Sequence, residues 1–176
     1  DRAAWASTVA QIEHLARSAE DDFVVVPVDV DPLVEIGNML YEGPWLAERT
    51  AAFGQHLDAV DIDPTVRAIV SRGHEFSAVQ MHEAAFQLSQ RRRLADEIWN
   101  DVDVLIVPTV PGVATLDEVA ADPIGRNSRL GTYTNWVNLL DQCGVAVPGA
   151  DRPDGLPFGV TVLGPAWADP TVVSFA

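Results

Sequence analysis

The chain has 176 residues, is 48% apolar and carries a formal charge of −15. The acidic balance excludes a nucleic-acid or anionic-membrane surface, and no apolar run approaches the roughly 18 residues of a membrane helix. All 11 basic residues are arginine, which excludes a lysine base, Schiff base or phosphate-loop lysine within these residues, and the lone Cys143 excludes an intrachain disulfide.

Taken in chain order, Ala3–Ala19 reads as an amphipathic helix with Val9, Ile12, Leu15, Ala16 and Ala19 on one side. Asp21-Asp22 breaks it, and the β-branched run Phe23–Val26 predicts a buried strand. Asp31-Pro32 reads as an N-cap followed by proline, opening a helix from Leu33 to Tyr41. Gly43-Pro44 interrupts that helix, because proline lacks the amide donor, and the pattern resumes over Trp45–His56. Asp63-Pro64 starts a short helix over Thr65–Ser71, ending near Gly73. Ser77 caps a long one, Val79–Trp99, with Ala84, Leu88, Leu94, Ala95 and Ile98 available for burial. Val102–Val107 predicts a second strand, stopped by Pro108-Thr109. Val110–Ile124 is a loop holding one turn around Leu116–Ala120, and Asn127–Gln142 has helical length. Val145–Val147 and Phe158–Leu163 predict strands joined by GADRPDGLP, and Asp169-Pro170 opens a last helix.

Strands separated by helical segments predict an α/β protein built as one unit over residues 1–176. No repeat and no linker divides it. The pattern starts inside a helix and stops at a helix start, so a portion of a larger domain is expected. The lone cysteine and the absence of a secretory leader fit a cytoplasmic setting.

Few constellations carry chemistry. His14, His56, His74 and His82 lack metal-ligand spacing, so surface histidines and no metal are expected. Cys143 has nothing nearby to activate it and reads as a buried structural thiol. The seven serines include no nucleophile elbow and no adjacent pair. Arg91–Arg93 lies beside Asp96 and Glu97 on a solvated helix face. Val102–Thr109, VDVLIVPT, is a strand ending of the kind that rims active sites in α/β folds. Tyr41 and Arg49 flank the Gly43-Pro44 break. On a straight helix they would stand about 12 Å apart along the axis. A bend could aim both into one cavity, where a guanidinium fork suits a small carboxylate. Equally, Arg49 could pair with Glu42, Glu48 or Asp58 on the surface.

The segments VDVLIVPT, TYTNWVNLLDQCGVAVP and DGLPFGVTVLGPAWAD, in this order, resemble the amidase-signature hydrolases. LYEGPWLAER with DPIGRNSRLGTYTNWVNLLD resembles the allophanate hydrolases within that family. The resemblance covers nearly all of Asp1–Ala176. It implies a mixed β-sheet surrounded by helices, and amide hydrolysis by a serine nucleophile assisted by a second serine and a lysine. Those catalytic groups belong to a region N-terminal to the part matched, so no catalytic residue is carried over. Tyr41 and Arg49 match the substrate-binding positions, with Arg49 expected to hold the carboxylate of allophanate. The implied partners are allophanate, the N-terminal portion of the same domain and a second copy in a homodimer. No cofactor is implied.

Two other readings stand beside this one. The chain could belong to an amidase of the same family acting on a neutral or aryl amide, with Tyr41 and Arg49 structural. It could also be a non-catalytic remnant. In either portion reading the isolated chain is expected to be inactive and marginally soluble, because half a sheet leaves edges and apolar surface exposed.

Overall fold

The computed structural model describes residues 1–18 and 23–176. Its sheet has three strands, β1 (Leu105–Pro108), β2 (Cys143–Pro148) and β3 (Gly159–Gly164), in the order β1-β3-β2. Both pairings are antiparallel, with Leu105 opposite Leu163 on one side of β3 and Val145 opposite Val162 on the other. β3 is buried along nearly its whole length.

Helices cover both faces of this sheet. On one lie α2 (Asp31–Glu42), α5 (Ala78–Ala95) and α8 (Asn135–Leu139). Leu33 and Ile36 of α2, Ala95 of α5 and Trp136 of α8 close over Leu105, Val107 and Leu163. Trp136 is fully buried. The opposite face carries α1 (Arg2–Ser18), whose Ala4 packs on Phe158 and Val160. The Thr8 hydroxyl donates to Ala4 O at 2.9 Å and accepts from Ala150 N at 2.9 Å, which ties α1 to the connection between β2 and β3. α9 (Asp169–Phe175) packs on β2 and β3 through buried Val172. The expected α/β class therefore forms.

Local capping chemistry sets several boundaries. Asp63 accepts from the amides of Thr65 and Val66 and opens α4 (Pro64–Ser71). Ser77 and Gln80 form a reciprocal capping box that opens α5. Thr115 and Glu118 form another at the start of α6 (Leu116–Ala121), the single turn expected in that loop.

Other boundaries differ from the sequence pattern. Phe23–Val26 is not a buried strand. It runs without sheet pairing, and Val24 is 81% exposed. Asn127–Gln142 is not one helix. α7 (Pro123–Leu130) ends at Gly131, a turn follows in which Thr134 N donates to Gly131 O at 3.0 Å, and α8 begins at Asn135. Asp31 lies inside α2 and does not cap it; Val30 precedes the helix, and Asp29 Oδ1 accepts from Asp31 N at 3.0 Å. β1 begins at Leu105, later than expected, and the α5 helix gives way to a 3-10 segment at Asp96. Leu15 and Leu94 are exposed, so α1 buries Ala4 and Thr8 instead of its most apolar stripe. Ala19 and Asp21-Asp22 fall outside the described residues.

Candidate substrate-binding site

The break at Gly43-Pro44 is an elbow. α2 ends at Glu42, Gly43 is extended, and Leu46 N donates to Gly43 O at 3.3 Å while Ala47 N donates to Pro44 O at 2.8 Å. These bonds start α3 (Leu46–Phe53), a separate helix three residues after α2. The elbow removes the separation a straight helix would impose. The Arg49 guanidinium carbon lies 4.5 Å from the centroid of the Tyr41 ring. A cation over an aromatic face at this distance is worth about 0.5–2 kcal/mol, depending on desolvation. Both residues are half-buried. A guanidinium placed there has the planar fork that suits a planar anion. Glu48 and Asp58 form no ion pair with Arg49.

A cleft of about 1010 Å³ lies elsewhere, between α1, residues 23–28 and β1. Its walls include Trp5, Val9, Ile12, Val25 and Leu105, with Asp1, Asp101 and Asp103 at polar positions. Neither Tyr41 nor Arg49 lines it. A smaller pocket of about 80 Å³ is bounded by Pro111–Ala114, Arg126 and Arg129. There Arg126 Nη2 sits 2.7 Å from Glu118 Oε1. The Thr115 amide, and then the Arg126 charge, hold the Glu118 carboxyl below its ordinary range.

The remaining candidates have structural partners. The hydroxyls of Thr109 and Thr161 lie 2.9 Å apart, and Thr109 N donates to Gly159 O at 3.0 Å, so the end of VDVLIVPT is bonded into the sheet. Arg91–Arg93 is only partly a solvated face. Arg91 reaches Glu35 of α2 at 3.7 Å, Arg92 Nη2 donates to Leu139 O at 3.1 Å, and Arg93 is exposed. The two inner links tie α5 to α2 and α8, which a run of like charges in sequence gives no sign of. All four histidines are exposed, and the described residues contain no group of three potential metal ligands. Cys143 is half-buried, not buried, with its sulfur 3.3 Å from Pro165 O. No helix among the described residues is long and apolar enough to cross a membrane.

The family profile described as Amidase matches residues 15–173. A urea amidolyase of Lachancea kluyveri is 40% identical over 156 residues, which are 86% of this chain and 8% of that protein. A urea amidolyase of Saccharomyces cerevisiae is 37% identical over 169 residues, 94% of this chain and 9% of that protein. The structure of the selenomethionine-substituted allophanate hydrolase of Kluyveromyces lactis superimposes with a TM-score of 0.90 at 34% identity, covering 99% of this chain and 28% of that one. The chain thus spans less than a third of each of these proteins.

Proposed function

The chain belongs to the amidase family, and we propose that it forms the substrate-recognition portion of an allophanate hydrolase. On this reading residues 1–176 are the C-terminal portion of one amidase domain. The serine nucleophile and its lysine come from the N-terminal portion, since these residues include no lysine and no adjacent serines.

The observation that carries the reading is the Arg49–Tyr41 stack. Allophanate is a small planar anion. A permanently charged fork held against an aromatic ring offers a fixed edge to its carboxylate, and Tyr41 adds an orienting phenol. Selection follows, because an amide without the carboxylate leaves the half-buried guanidinium without its counter-charge. The likeness to proteins called urea amidolyase and allophanate hydrolase supports the same substrate. A cytoplasmic location and a homodimer complete the proposal; the resemblance alone suggests the dimer.

The test uses a full-length enzyme bearing this segment. Arg49→Ala is expected to raise KM for allophanate on the order of 100-fold, the loss of about 2–3 kcal/mol of charge-assisted binding, with kcat within a few-fold. KM for acetamide or an aryl amide should not move. An unchanged KM for allophanate would sink the assignment and favour an amidase of neutral substrates.

A further inference from the structure

We infer that Thr50 is the positioning residue that sets the reach of Arg49, by locking α3 onto α4 and the segment that follows it. The inference rests on the reading of Arg49 as the carboxylate ligand.

Tyr41 and Arg49 stand on two helices with separate anchors. α2 is held by the core: Leu33 and Ile36 are buried with Trp136. It also approaches α8 closely, where a Cβ added at Gly37 would lie 3.2 Å from both Asn135 Cβ and Trp136 N. α3 takes no part in that cluster. Its buried residues are Leu46 and Thr50, one turn apart on a single face. That face meets the backbone of residues 70–73. The Thr50 hydroxyl lies within hydrogen-bonding reach of two carbonyls, Leu46 O of its own helix at 3.0 Å and Val70 O of α4. At Gly73 the two segments come so close that an added Cβ would stand 2.5 Å from Leu46 O and 2.8 Å from Thr50 Cβ. Gly73 is buried.

These contacts fix α3 in rotation and in translation. Consecutive helical residues project about 100° apart. With Thr50 keyed to Val70 O, Arg49 is therefore turned toward Tyr41 and cannot slide along it. The elbow between α2 and α3 is only three residues, 43–45, so the distance from Tyr41 to Arg49 is the difference between two anchors. One anchor is apolar and broad. The other is the buried Leu46 with one hydroxyl over a glycine.

In a full-length enzyme bearing this segment, Thr50→Val keeps the shape and deletes the hydroxyl. The expected result is a tenfold or greater rise in KM for allophanate with kcat within twofold and no change in KM for acetamide. Thr50→Ser, which keeps the hydroxyl, should restore the parent KM. Thr50→Val added to Arg49→Ala should raise KM no further. A crystal structure of Thr50→Val should show the Arg49 guanidinium displaced from the Tyr41 ring. If Thr50→Val does not fold, Thr50→Ala, which only removes atoms, is read in the same assays. An equal KM rise for acetamide, an additive effect in the double variant, or an unmoved guanidinium would each overturn the proposal. A displaced guanidinium together with an Arg49→Ala enzyme of unchanged KM would separate the two ideas: Thr50 would still position Arg49, and Arg49 would not bind the carboxylate.

Discussion

At the scale of single residues, the proposed site depends on geometry more than on charge. The Arg49 guanidinium carbon stands over the Tyr41 ring. Lysine keeps the charge but has neither the plane nor the fork. Arg49→Lys is therefore expected to recover less than a tenth of the binding lost in Arg49→Ala, measured as kcat/KM for allophanate. Recovery to near the parent value would show that a point charge suffices. Both residues were legible in LYEGPWLAER as a pair flanking a break. Their contact was not, because spacing on a helix gives angles along one axis and Gly43-Pro44 creates a second axis. Thr50 was hidden for a related reason. Its partner is the backbone of Val70, twenty residues away, and a backbone carbonyl carries no sequence signature.

At the scale of elements, the sequence was most informative where the chemistry is local. Asp63 and Ser77 sit where their side chains accept from their own helix's amides. Ser77→Ala should cost about 1 kcal/mol. For a chain of this size that lowers Tm by about 2–4 °C, read by calorimetry. Two exposed carboxyls add a pH signature. Backbone amides of Val66 and Thr65 hold the Asp63 carboxyl below its ordinary range, and the Arg152 side chain does the same for Asp154, followed by the Leu156 amide. Groups depressed on folding stabilise fully above the ordinary carboxylate range, and that contribution is lost as pH falls through the lowered folded values. Tm should hold from neutral pH down to that range and fall below it, with a shallower fall in Asp63→Asn. Elements set by distant partners were misread. Phe23–Val26 has strand composition but no strand beside it, and Asn127–Gln142 has helical length but turns at Gly131 to seat Trp136 in the core. Hydrophobic pattern reports what a segment can bury and is silent on where the burying surface lies.

At the scale of the whole molecule, the fold class followed from alternating segments, whereas the cleft of about 1010 Å³ did not, since it exists only between elements. Its apolar walls and the exposed Val24, Val25 and Val26 give the 176-residue chain an adhesive side. The charge of −15 opposes self-association by repulsion, and salt screens repulsion. Sedimentation velocity on the isolated chain should therefore show association growing with ionic strength, accompanied by binding of a hydrophobic dye. A monomer at high salt without dye binding would contradict this. The order β1-β3-β2 has one more consequence. β3 is bonded along both edges and buried on both faces, so its amides are held alternately by β1 and by β2, and each reaches solvent only when its own ladder parts. In deuterium exchange Val160–Leu163 should be the last amides to label, and the two interleaved sets read the parting of each ladder separately.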